Sequence, residues 1–140
     1  MTFLDTNVVI GIMTRRVPIF AERMAAELGA ANRFHLSSIV VAELEYGASK
    51  SRDPVRSRER LTVFMSAIES IVPFDEEDAA VAGDIRAFLE RMGTPIGVHD
   101  ILIAAQARRR DALLVTNNRR EFDRVPGLLV SDWGARPPAP

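Results

Sequence analysis

Met1-Thr2-Phe3-Leu4-Asp5-Thr6-Asn7 is the stretch on which the fold turns. Phe3-Leu4 reads as a short buried strand. Asp5 follows at its carboxyl end, where open α/β sheets place their ligands. Two more acids sit in matching apolar settings. Glu43 lies in Ser38-Ile39-Val40-Val41-Ala42-Glu43-Leu44, and Asp100 lies in Ile96-Gly97-Val98-His99-Asp100-Ile101-Leu102-Ile103-Ala104-Ala105. Charged side chains seldom occupy such runs unless something pairs them. Three that converge make a site for a hard divalent cation.

Outward from that opening, helices and strands alternate. Thr6 is expected to cap a brief helix over 7–13. Pro18 fits the first turn of a second helix, with Phe20, Met24 and Leu28 on one face and Gly29 as its stop. Residues 34–37 read as the second strand, and Ser37 or Ser38 caps the helix that carries Glu43, expected to end near Gly47. Asp53-Pro54 pairs an N-cap with a proline at the first helical position, opening a helix with Leu61, Phe64, Met65 and Ile68 at helical spacing. Ile71-Val72-Pro73-Phe74 reads as a third strand, placed at an edge by its proline. Asp75 starts a helix with a stripe of Val81, Ile85, Phe88, Leu89 and Met92, stopped by Gly93. Asp100 stands near the start of the next helix. Residues 112–116 are apolar until Thr116, as a central parallel strand should be, and 128–130 form a last strand. The alternation predicts a three-layer α/β domain with a mostly parallel sheet. One domain is expected over 1–134, followed by a Pro-rich tail over 135–140 that frays.

Length and composition bound the function. A chain of 140 residues can bury a sizeable core without disulfides or structural zinc. It has no cysteine, which excludes a disulfide scaffold and suits a reducing compartment. The N-terminus lacks the basic lead of a signal peptide, and no apolar run approaches the roughly 20 residues of a membrane span. A soluble, cytoplasmic protein is expected. The net charge is −1, and of 18 basic residues all but Lys50 are arginine. They bunch at Arg15-Arg16, Arg52 to Arg60, Arg108 to Arg110 and Arg119-Arg120. The cluster from 52 to 60 alternates with serine and glutamate and reads as a solvated face.

Each acid has a structural reading beside the functional one. Asp5 and Asp100 can serve as helix N-caps, and Glu43 can share an exposed face with Glu45. Together, at ends of separate elements, they point to a cation. Oxygen ligands with no cysteine and only two histidines suit Mg²⁺ or Mn²⁺ rather than zinc. Such an ion polarises a phosphoryl oxygen and activates a bound water. No Ser-His-Asp or Cys-His set and no GxxxxGK[ST] loop is present.

The chain resembles the PIN-domain ribonucleases, and among them the VapC toxins of bacterial type II toxin–antitoxin systems. The resemblance rests on Leu4-Asp5-Thr6-Asn7, Ala42-Glu43-Leu44 with Tyr46-Gly47, Ile96-Gly97 with Asp100 to Ala105, Leu114-Val115-Thr116-Asn117-Asn118 with Glu121-Phe122, Arg124 to Leu128, and Asp132-Trp133. It implies a parallel sheet in the order 3-2-1-4-5 and Mg²⁺- or Mn²⁺-dependent endonuclease action on RNA by metal-activated water. Asp5, Glu43 and Asp100 match the family's catalytic acids, with Asp5 and Asp100 as metal ligands. Thr6, Asn7, Thr116 and Asn118 fall at supporting positions. The resemblance further implies a VapB-like antitoxin, a homodimer, and transfer or ribosomal RNA as substrate.

Asn118 departs from the pattern, because many PIN domains carry a fourth acid after strand four. Glu121 is close by and reads first as a surface partner of Arg119 or Arg124. His35 and His99 read first as structural, with the pocket rim as the lesser reading for His99, and Tyr46 and Trp133 read as packing residues. Two rivals remain. One is a catalytically inactive PIN-like module that binds RNA or protein. The other is a phosphatase with Asp5 as nucleophile, which would want an aspartate where Asn7 stands.

Overall fold

A computed structural model describes residues 1–135; residues 136–140, most of the expected tail, lie outside the described residues. The elements run β1 (Thr2–Leu4), α1 (Thr6–Met13), α2 (Pro18–Gly29), β2 (Phe34–Ser37), α3 (Ser38–Lys50), α4 (Pro54–Met65), β3 (Ser70–Val72), α5 (Glu76–Arg91), α6 (Val98–Arg109), β4 (Leu113–Val115), α7 (Arg119–Phe122) and β5 (Leu129–Ser131).

The five strands form one sheet in the order β3-β2-β1-β4-β5, and every pair is parallel. The expected order holds, and "mostly parallel" becomes wholly parallel. β1 lies at the centre, with Leu4 opposite Val115. The chain leaves β1 for β2 and β3 on one side and then returns to β4 and β5 on the other. The carboxyl ends of β1 and β4 therefore flank a topological switch point, where such sheets bind ligands.

Apolar strands and amphipathic helices build the core. Phe3, Leu4, Leu36, Leu114 and Val115 are buried from the sheet, and Val8, Val9, Val40, Ile85, Leu89, Ile103 and Phe122 from the helices. α1 packs closely on α2: a Cβ at Gly11 would stand 2.8 Å from the Phe20 ring. No helix among the described residues is long and apolar enough to cross a membrane.

Several boundaries differ from expectation. Asp5, not Thr6, caps α1, and the helix begins at Thr6. α3 runs past Gly47 to Lys50, because Leu44 and Ala48 are both buried on its inner face. That packing outweighs the cost of roughly 1 kcal/mol of a helical glycine. β3 stops at Val72, so Pro73 lies just outside the edge strand it was expected to mark. α5 begins as expected at Asp75, with a capping box in which Asp78 bonds back to the Asp75 N–H. Its inner stripe is Asp78, Ala82, Ile85 and Leu89; Met92 is the C-cap and 62% exposed. Gly93 ends the helix in the left-handed region, φ 68.

The buried Asp78 is explained by its partners. It accepts from Arg109 Nη1 at 2.8 Å and from Arg110 Nη1 at 2.7 Å. Gln106 of α6, also fully buried, donates to Val72 O at 3.0 Å and accepts from the Ser37 hydroxyl. Ser37 in turn caps α3 by accepting from the Ile39 N–H at 2.9 Å. One polar chain thus ties the start of α3 to the middle of α6 and the start of α5.

Candidate functional site

Asp5 is placed by two local rules. It ends a strand in the ladder, its N–H donating to Val115 O at 2.9 Å. It also caps the helix that follows, Oδ1 accepting from the Thr6 N–H at 2.8 Å. Oδ2 accepts from the Thr116 hydroxyl at 2.8 Å, and Thr116 Oγ1 accepts from the Asn118 N–H at 3.0 Å. The carboxyl is buried, which raises its pKa. The bonds from Thr116 and Thr6 oppose that rise, and Glu121 adds to it.

Asp100 occupies the first turn of α6. Its pKa is pushed up to about 7, first by burial, then by a proton shared with Glu121, then by the charges of Asp5, Glu121 and Glu43. Glu121, from the short α7, is the other half of that pair. Its pKa is lowered, chiefly because it accepts from Asp100, with help from the Asn118 side chain and the Gly97 N–H. Glu43 comes from the middle of α3. Burial raises its pKa, His99 lowers it and Asp5 raises it. His99 Nδ1 lies 3.6 Å from Glu43 Oε1.

Asp5, Glu43 and Asp100 therefore lie close enough for their charges to act on one another, while among the described residues no three acidic or imidazole groups are placed to hold one ion together. The charge of Asp5 reaches both Glu43 and Asp100, and that of Glu43 reaches Asp100. Glu121 takes the lesser of its two readings from the sequence. Arg119, one expected surface partner, pairs with Asp123 at 3.2 Å; Arg124, the other, acts on Glu121 only by its charge, and Glu121 turns to Asp100. A signal was present: Glu121 follows Asn118 by three residues, about one helical turn, just past β4, the neighbour of the central strand. Of the supporting residues, Thr116 and Asn118 join the site. Asn7 is exposed, and its side chain makes no hydrogen bond to Asp5. Thr6 is buried, and its hydroxyl leans toward Glu43 without reaching bonding geometry. Its Oγ1 is the one buried side-chain polar atom without a partner among the described residues.

His99 stands beside Glu43, against the structural reading favoured for it, and His35 bonds Ser70 Oγ at 2.8 Å in a structural role. Trp133 packs, its ring edge-on to Phe34 at 5.6 Å. Tyr46 does not pack: it is 66% exposed, with Lys50 Nζ 4.8 Å from the ring centre.

Carboxyl groups that raise one another's pKa store repulsion that a cation would relieve. All the donors are oxygen, and an orphaned hydroxyl faces them. Mg²⁺ needs only one or two protein carboxylates and keeps several waters, and Asp5 with Asp100 would supply that number. The residues fit a hard divalent ion held loosely enough to accept phosphate oxygens.

Comparison with known proteins agrees with this geometry. Residues 2–128 match the PIN domain. The chain is 40% identical over 130 residues to the "tRNA(fMet)-specific endonuclease VapC" of Salmonella typhimurium, covering 93% of this chain and 96% of that one. It is 37% identical over the same length to "Ribonuclease VapC2" of Rickettsia felis, with the same coverage. The crystal structure of VapBC2 from Rickettsia felis bound to a promoter DNA fragment superposes with a TM-score of 0.87 at 35% identity, over 94% of this chain and 98% of that one. DNA-bound VapBC from Salmonella typhimurium gives 0.85 at 39% identity, over 94% and 97%. With its switch-point carboxylates, its sheet order and these relatives, the chain belongs to the PIN domain family, among the VapC ribonucleases.

Proposed function

We propose that this protein is the toxin of a type II toxin–antitoxin pair, a divalent-metal-dependent endoribonuclease that hydrolyses RNA phosphodiester bonds. The observation that carries the reading is the gathering of Asp5, Glu43, Asp100 and Glu121 at the carboxyl end of the central strand, each shifting another's pKa. Asp5 and Asp100 hold the ion, Mg²⁺ or Mn²⁺. When bound, it supplies Lewis acidity toward a phosphoryl oxygen and lowers the pKa of a water.

The chain's own groups do the rest. Thr116 and the Thr6 N–H hold the Asp5 carboxylate in one orientation. Glu43, its pKa raised and His99 beside it, accepts the proton of the attacking water. That water's oxygen bonds to phosphorus, one P–O ester bond breaks, and the departing oxygen takes a proton. That proton comes from solvent water, since Asp100 as an ion ligand is a carboxylate. Asn118 steadies Glu121.

The relatives make the substrate and partner more specific. One is called tRNA(fMet)-specific, which favours transfer RNA in the cytoplasm as substrate. The similar structures are VapBC complexes on DNA, which favours a VapB-like antitoxin as partner, with the chain acting as a homodimer.

The test is cleavage of purified transfer RNA by the isolated chain with Mg²⁺ or Mn²⁺, with chelator, and with Asp5→Asn. Metal-dependent cleavage that chelator abolishes and D5N lowers by on the order of 10²-fold or more is expected. Metal binding by calorimetry without cleavage of any RNA would overturn the reading in favour of an inactive binding module.

A further inference from the structure

Two concavities meet beside the carboxylate pocket. The first is a groove of about 180 Å³ between α1, α3 and α4, floored by Met13, Leu44 and Leu61, with Glu43 in its wall. The second is a broader cleft of about 660 Å³ between the end of α1 and α4, carrying three cations, Arg15, Arg56 and Arg60, against one acid, Glu59. Met13, Thr14 and Arg60 line both, so a continuous path leads from Glu43 to the arginines.

None of these three guanidinium groups has an acidic partner within ion-pair distance among the described residues. Their neighbour Arg58 does, pairing with Glu45 at 3.3 Å. Arg15 also adopts the left-handed region, φ 56, a strained choice for a residue with a long side chain.

The pocket cannot attract RNA by charge, because it is a cluster of carboxylates. The net charge of −1 gives no general attraction either. Affinity for a polyanion must then come from local cations along the path the strand follows. Unpaired arginines supply them, since a planar fork matches phosphate oxygens. An apolar floor beside them suits unstacked bases.

We propose that the cleft of Arg15, Arg56 and Arg60, continuous with the apolar groove beside Glu43, is the track that holds single-stranded RNA backbone on one side of the scissile phosphate. This rests on the endoribonuclease reading above.

The test compares the triple variant Arg15→Gln, Arg56→Gln, Arg60→Gln with the parent chain. All three side chains are exposed, so the fold is not at stake. Binding of a fluorescein-labelled single-stranded oligouridylate is measured against salt, both chains carrying D5N to prevent cleavage. The slope of log affinity against log salt should flatten by about 0.7 for each phosphate no longer neutralised, and Kd should rise about tenfold or more. In the active background KM for transfer RNA should rise far more than kcat falls. Arg58→Gln, outside the cleft, should leave the slope as it was. An unchanged slope and KM in the triple variant overturns the proposal. So does a defect confined to binding of a VapB-like antitoxin, which would make the cleft a protein-docking surface. The oligouridylate measurement does not need catalysis, so absence of cleavage by the parent chain would sink the endoribonuclease reading separately.

Discussion

The Thr116 hydroxyl donates to Asp5 Oδ2 at 2.8 Å, joining residues 111 positions apart in the chain. Because Thr116 Oγ1 also accepts from the Asn118 N–H, its one proton is committed to Asp5. The other carboxylate oxygen is committed to the Thr6 N–H. Each oxygen is thus anchored by one donor and keeps a lone pair free for a cation. The ends of β1 and β4, adjacent in the sheet, make this arrangement without any loop to order.

Thr116→Val keeps the shape of the side chain and removes that donor. With burial no longer opposed by the bond, the Asp5 pKa should rise further and its hold on metal should weaken. Removing such an orienting partner typically costs about 10- to 100-fold in metal affinity or activity. Manganese titration by calorimetry reads it directly, and affinity equal to the parent's would show that Thr116 only packs.

Asp5→Asn should be harsher on activity and milder on structure. The amide oxygen can still accept from the Thr6 N–H and cap α1, so circular dichroism and the thermal midpoint should stay near those of the parent. Loss of a metal-held charge removes several kcal/mol of transition-state stabilisation, so cleavage should fall by on the order of 10²- to 10³-fold. A rate within a few-fold of the parent's would remove Asp5 from the site.

What the sequence made legible, and what it hid, follows from the same physics. Asp5, Glu43 and Asp100 stand out because each interrupts an apolar run, and a charge there needs a partner. Glu121 does not: Arg119, Arg120 and Arg124 surround it, and a surface ion pair is the simpler reading. Only the fold shows that Arg119 is taken by Asp123. Tyr46 was hidden for the opposite reason. An aromatic between Leu44 and Gly47 reads as core, but helical spacing sets it on the Glu43 side of α3, away from Leu44 and Ala48. The alternation of elements was plain from end to end, whereas α3 outlasts Gly47 only because of packing that periodicity cannot see.

Glu121→Gln separates a pocket acid from a surface one. In the pocket, it removes the charge and leaves only a weaker amide acceptor, so part of what holds Asp100 near pKa 7, beside burial, is lost. The Asp100 pKa should drop toward the ordinary carboxylate range, and magnesium affinity should fall because one negative charge is gone. Carbon-detected NMR of the Asp100 carboxyl would follow the first effect. A titration curve identical to the parent's would return Glu121 to the surface.

The raised Asp100 pKa also fixes how stability varies with pH in the metal-free chain. Folded Asp100 titrates at about 7, against 3.8 for the ordinary group. Between those values the folded state carries more protons at Asp100 than the unfolded state, so that contribution to stability is greatest at the acid end and falls as pH rises toward 7. Glu121 and His35, lowered from 4.5 and 6.5, act in the other sense below those values. The Asp100 effect is therefore read against D100N: thermal midpoints of the metal-free parent should fall more steeply, or rise less, with pH across the window than those of D100N. Mg²⁺ competes with the same proton, so its stabilising effect should grow with pH. A midpoint that changes through that window identically in parent and D100N would contradict the assignment.

Gln106 tests how the acids are kept together at a distance. Its side chain meets the hydroxyl that caps α3, the carbonyl that ends β3 and, at 3.5 Å, the Asp78 carboxylate. α3 carries Glu43 and α6 carries both Gln106 and Asp100, so this amide links the two helices below the pocket. Gln106→Leu would leave the Ser37 hydroxyl and the Val72 carbonyl buried without partners. At about 1–3 kcal/mol for each of the two unsatisfied groups, the destabilisation should be roughly 2–6 kcal/mol, read as a lower urea midpoint at unchanged m-value. Gln106→Glu offers the short acceptor to Ser37 but adds a carboxylate beside Asp78, so it should recover less than full stability despite its near-identical shape. If Q106L were as stable as the parent, the polar chain beneath the site would not be what holds α3 and α6 in register, and their placement would rest on apolar packing alone.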